Sequence, residues 1–109
     1  MNRLTPRALV LLLPIALGLA VQAQAPPAPQ RIVSLVPAVT EMLFAIGAGP
    51  QVVGVSSFDK YPEDVKTRAR VGALVDPDVE RILSLRPDLV AVYATQDELR
   101  TQLARAGIA

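Results

Sequence analysis

Three short runs of β-branched and apolar residues recur at wide intervals along this chain, and the apolar spacing between them changes to a helical period. The runs are Arg31-Ile32-Val33-Ser34-Leu35-Val36, Val52-Val53-Gly54-Val55 and Asp88-Leu89-Val90-Ala91-Val92-Tyr93. None of them alternates polar with apolar, so each reads as a strand buried on both faces. Strands set this far apart cannot be joined as tight hairpins. They need helical crossovers, which predicts an α/β fold with a parallel sheet flanked by helices.

The intervening segments carry their own punctuation. Pro37 ends the first strand. Val39, Met42, Leu43 and Ile46 then fall at i, i+3, i+4 and i+7, which predicts a helix with that stripe turned inward, closed by Gly47 and Gly49. Ser56 to Lys60 read as a polar loop, and Pro62 suits the first position of a short helix through Glu63-Asp64-Val65-Lys66. Val71 to Val75 read as a loop or brief strand around Gly72. Asp76-Pro77 predicts a helix start, with Asp76 as N-cap and Pro77 at the first helical position. Asp78 and Glu80 then occupy the first turn, Val79, Ile82 and Leu83 face inward, and Pro87 ends the helix. Thr95 and Glu98 have the spacing of a capping box, opening a helix with Leu99, Leu103 and Ala106 on one face and Gly107 after it. Ile108-Ala109 reads as the first step of another strand, so the chain is expected to be a fragment or truncated product of a longer one.

The first 25 residues follow a different logic. Arg3 and Arg7 give a positive start without an acidic neighbour, and Ala8 to Ala20 form an apolar run broken only by Pro14 and Gly18. Ala23-Gln24-Ala25 supplies the small-x-small pattern of a cleavage site, so residues 1–25 are expected to be a cleaved secretory signal peptide. The apolar run is about 13 residues, short of the roughly 18–20 that span a bilayer. An uncleaved anchor is the other reading. The chain holds no cysteine, which excludes lipid attachment through a cysteine after the leader. Pro26, Pro27 and Pro29 then make residues 26–30 an extended linker, and order begins at Arg31.

Charge and composition exclude several functions. The leader holds two of the 11 basic residues, leaving nine against ten acidic ones in the 84 residues after Ala25. A near-neutral domain without a basic stripe is not expected to bind nucleic acid or an anionic membrane surface. The chain has no histidine and no cysteine, so neither a histidine-based nucleophile pair nor the usual soft metal ligands exist, and no metal site is expected. Gly47-x-Gly49 follows a helix and precedes a strand, the reverse of a dinucleotide loop. The acidic residues at 63–64 and 76–80 sit in first turns, where they complement the helix dipole. An enzyme or nucleotide-binding domain on the same architecture remains the second reading, and a remnant without ligand binding the third.

The string RIVSLVPAVTEMLFAIGAGPQVVGVSSFDKYPEDV, followed by VGALVDPDVERILSLRPDLVAVY, resembles the N-terminal lobe of class III periplasmic substrate-binding proteins of ABC importers, which take cobalamin and iron chelates. The resemblance runs from Arg31 to Ile108. It rests on S-L-x-P-x-x-T-E, the G-A-G turn, V-V-G-V, Y-P, D-P-x-x-E and L-x-P-D-L-V in order.

The resemblance implies a Rossmann-like lobe at 31–109, incomplete at its C-terminal end and forming half of a two-lobed protein. It implies no enzymatic activity and no resident cofactor, since the chelate is cargo. It also implies a monomer that captures cobalamin in the periplasm and delivers it to an inner-membrane permease, with a ferric siderophore or haem as the alternative ligand. Ligand contacts are then expected from the loops after the strands: Pro37 and Ala38, Phe58, and Leu74 and Val75. Phe58 stands where the similar cobalamin binder has a tyrosine, and Leu74 where it has a tryptophan. Glu80 matches a glutamate that pairs with permease arginines. Glu41 also belongs to the shared motif and has a structural reading as a residue that starts its helix. No histidine or ligand-type tyrosine pair is present, so direct ligation of haem iron by this segment is not expected; Tyr61 and Tyr93 are the remaining phenols, and Tyr93 ends a core strand.

Overall fold

The computed structural model describes residues 25–109. The expected leader, apart from Ala25, lies outside the described residues. The chain then builds β1 (Ile32–Ser34), α1 (Pro37–Ala45), a 3₁₀ turn (Gly49–Gln51), β2 (Val52–Val55), a second 3₁₀ turn (Glu63–Thr67), β3 (Ala69–Arg70), α2 (Val79–Ser84), β4 (Leu89–Ala91) and α3 (Asp97–Arg105). All three expected strands are present, β2 with the expected bounds and the other two trimmed at both ends.

The four strands form one parallel sheet in the order β3-β2-β1-β4. Central β1 pairs Val33 with Gly54 on one side and with Val90 on the other. Buried on both flanks, it is apolar throughout except for Ser34, as a central parallel strand must be. On one side of the sheet Val33, Leu35, Val71 and Val90 pack with Ile82 of α2 and with Leu99 and Leu103 of α3. The second cluster joins Val52, Val55 and Val65 to Leu43 and Phe44 of α1. Each such fully buried aliphatic side chain contributes roughly 1.5–3 kcal/mol.

Several expectations are corrected. α1 begins at Pro37, two residues early, and turns a different face inward. Thr40, Leu43 and Phe44 meet the sheet, whereas Met42 and Ile46 are 62% and 77% exposed. The cause is polar and steric. Thr40 Oγ1 donates to buried Ser34 Oγ at 2.9 Å, and the Phe44 ring lies where a Cβ on Gly49 would stand.

β3 was not expected; residues 71–75 form the loop of the two readings, with Gly72 making only an isolated antiparallel bridge to Pro77. That bridge holds Pro77 outside the helix. The N-cap of α2 is therefore Asp78, whose Oδ1 accepts the Arg81 N–H at 2.9 Å, and not Asp76. Leu83 is 40% exposed.

The 63–67 segment is a 3₁₀ turn with Pro62 as its N-cap, not an α-helix with Pro62 inside it. The capping box of Thr95 and Glu98 does not form. Gln96 occupies the N-cap, no side chain caps α3, and Ala106 is exposed. Gly107 adopts φ +74° just after the helix, as expected. The Val90 N–H donates to the Ala109 carbonyl at 2.8 Å, so the last residues run beside β4.

Candidate ligand-binding groove

In a parallel sheet all carboxyl ends point the same way, and the loops leaving them converge. Here these loops follow β1 at Pro37, β2 at Ser56, β3 at Val71 and β4 at Val92. They enclose a groove of about 530 Å³.

The loop after β2 is tied down by its own polar residues. Asp59, 3% exposed, accepts the Ser56 N–H on Oδ2 at 2.7 Å, and the Phe58 N–H donates to Ser56 Oγ at 3.1 Å. Arg70, at the end of β3, donates from Nη1 to the carbonyls of Ser56 and Asp59 at 2.9 and 2.7 Å. This hydrogen-bonded frame presents Phe58 with its side chain outward, 70% exposed.

The loop after β3 turns at Gly72, whose φ of +83° is open to glycine and strained for other residues. A Cβ there would also overlap the Asp76 carbonyl. The Ser57 N–H donates to the Gly72 carbonyl at 2.8 Å, which joins this loop to the first. Beyond the turn Leu74 and Val75 are 43% and 93% exposed.

Of the expected ligand-facing residues, Pro37, Phe58, Leu74 and Val75 all line the groove. Ala38, placed there by the sequence reading, is exposed on the first turn of α1 and lies outside the lining. The groove also draws on Leu35, Ser56, Ala73, Asp76 and Tyr93. Of these, Tyr93 ends the third expected strand, and the sequence suggests Asp76 as a cap. Asp76 is the one charged residue of the lining. Tyr61 borders a separate hollow with Glu41, Phe44 and Asp64. Glu80 stands exposed on the first turn of α2, away from the groove. Among the described residues no group of three or more carboxylate, histidine or cysteine side chains is placed to hold a metal ion. The groove is an apolar wall with few polar points, suited to contact and not to bond chemistry.

Comparison with known proteins agrees with that geometry. Residues 32–109 match a family model described as periplasmic binding protein. Over 85 residues the chain is 44% identical to YvrC, an uncharacterized ABC transporter substrate-binding lipoprotein of Bacillus subtilis, covering 73% of this chain and 26% of the relative. The periplasmic vitamin B12 binding protein BtuF of Vibrio cholerae superposes with a TM-score of 0.68 at 31% identity, over 74% of this chain and 32% of that one. The periplasmic heme-binding protein RhuT of Roseiflexus gives 0.64 at 40% identity, again over 74% and 32%. The chain thus spans a quarter to a third of the length of these relatives.

Proposed function

Because the chain belongs to the periplasmic binding protein family, whose members compared above are substrate-binding proteins and not enzymes, we propose that it forms one wall of a cobalamin-capturing cleft in the periplasm. The captured corrinoid is then delivered to an ABC permease. The observation that carries this reading is the groove at the carboxyl ends of the strands. Phe58, Leu74 and Val75 are held out of the core on anchored loops, where a soluble domain would not leave them without a partner. A flat macrocycle covers such a surface well, because contact area rather than hydrogen bonding then supplies the affinity.

A second reading is a ferric ligand such as haem. Tyr93 lines the groove, and a phenolate is an established ligand for ferric iron. The resemblance to a heme-binding relative supports the same alternative.

The two readings separate in one titration of the full chain with cyanocobalamin and with hemin, followed by equilibrium dialysis and absorbance. Cyanocobalamin retention supports the first. Hemin retention with a phenolate charge-transfer band that Tyr93→Phe abolishes supports the second. Binding of neither sinks both.

Docking on the permease falls to Glu80 in this proposal. Its carboxylate is exposed at the start of α2, apart from the groove, where a rim charge would orient the encounter. Glu80→Arg is expected to reduce transport in reconstituted vesicles while leaving ligand affinity unchanged. Equal transport by the variant would remove the docking role.

A further inference from the structure

Two groove segments that are far apart in sequence meet at one buried amide. Gln96 is 7% exposed and sits at the N-cap of α3. Its Oε1 accepts the Tyr93 N–H at 2.9 Å. Its Nε2 donates to the Leu74 carbonyl at 3.2 Å and, more weakly, to the Ala73 carbonyl at 3.4 Å. The side chain has thus turned away from the helix it caps, leaving α3 without a side-chain cap.

We propose that Gln96 is a positioning residue of the groove, fixing Tyr93 and the Leu74–Val75 segment in one register so that both meet the ligand together. The proposal rests on the groove being the ligand site. The loop after β2 is braced locally by Asp59 and Arg70, whereas Leu74 and Val75 extend from a glycine turn. Beyond that turn the segment is braced within itself by the Ala73 N–H donating to the Asp76 carbonyl at 3.3 Å, and from outside by Gln96, more than twenty residues away. An amide is the side chain for this task, because it accepts from an N–H on one side and donates to carbonyls on the other.

Two variants of the full chain separate the halves of the clamp. Gln96→Met keeps the length and removes every hydrogen bond. Gln96→Glu keeps the acceptor for Tyr93 but sets a carboxylate against the carbonyls of residues 73 and 74. Without ligand, amide hydrogen exchange is expected to speed up at Tyr93 and Ala73 in Gln96→Met and at Ala73 alone in Gln96→Glu. Unchanged exchange at both positions would overturn the proposal, whatever the ligand proves to be.

With whichever of cyanocobalamin or hemin the wild type retains, Gln96→Met is expected to weaken binding about tenfold, the scale of a lost buried hydrogen-bond set. That loss should not add to the loss from Leu74→Ala, through which Gln96 acts, but should add to the loss from Phe58→Ala on the independently braced loop. Additivity with both would mean that Gln96 acts only on general stability, and the proposal would fall. If the wild type retains neither probe, the cobalamin and haem readings fail while the exchange pattern still decides the role of Gln96.

Discussion

The two ends of the sheet are built on opposite plans. At the amino ends, polar side chains close over the backbone. Asp88 accepts the N–H groups of Gln30 and Arg31 at 2.8 and 2.9 Å, and Arg31 Nε donates to the Leu85 carbonyl at 2.8 Å. Arg68 donates from Nε to the Val52 carbonyl and from Nη2 to the Gly49 carbonyl, with its guanidinium 5.6 Å from the centre of the Phe44 ring. At the carboxyl ends, polar side chains hold the loops from behind while apolar ones face outward. One end spends its side chains on satisfying its own backbone. The other uses them to display a surface. If the groove is the ligand site, as proposed, the same sheet separates stability from recognition by direction along its strands, and substitutions at the two ends should affect different measurements.

The largest expected effect tests whether the open end tolerates disorder. Gly72→Val places a β-branched side chain at φ +83° and against the Asp76 carbonyl. It is expected to cost about 3 kcal/mol or more in urea unfolding and to abolish ligand retention. A variant of wild-type stability would show that this turn is plastic. Next in size, Arg68→Ala at the closed end removes a donor from the Val52 carbonyl and one of the two donors to the Gly49 carbonyl, and uncovers the Phe44 ring. About 2 kcal/mol of stability should be lost with ligand affinity intact, by thermal unfolding and dialysis together. A loss of affinity there would break the division between the two ends.

Phe58→Ala is the mirror experiment. Its ring is 70% exposed, so its removal should leave the melting temperature within about 2 °C while weakening ligand binding about tenfold. The smallest effect concerns acid. Hydrogen bonds from the backbone N–H groups of Gln30 and Arg31 hold the Asp88 carboxyl below its ordinary value of 3.8. A folded-state value below the unfolded one gives stability that is full at neutral pH and is lost as pH falls through the folded-state value. Urea midpoints between pH 7 and pH 2 should therefore fall less steeply in Asp88→Asn than in the wild type. Identical slopes would show that this clamp contributes nothing.

The strands were legible because burial on both faces leaves little choice of residue, and Ile32 to Leu35, Val52, Val55 and Val90 show it directly. Four of the five residues assigned to the groove by family resemblance do line it, since the carboxyl ends of parallel strands fix where loops emerge. What escaped was set by contacts between distant segments. Ala69-Arg70 has no strand pattern of its own and becomes β3 only by pairing with Gly54 and Val55. Asp78 displaces Asp76 as cap because the Gly72–Pro77 bridge decides where α2 can begin. Met42 and Ile46 fit a helical stripe as well as any residues, but the Thr40 hydroxyl and the space beside Gly49 choose another face. Gln96 left no local signal, because its three partners lie three to 23 positions away.

The hydroxyl pair of Ser34 and Thr40 has a kinetic consequence. It locks the first turn of α1, and with it Pro37, to the end of the central strand inside the core. This side of the groove is therefore tied to the core by a buried hydrogen bond. If the groove is the ligand site, as proposed, contact on this side should add no slow phase to stopped-flow binding traces.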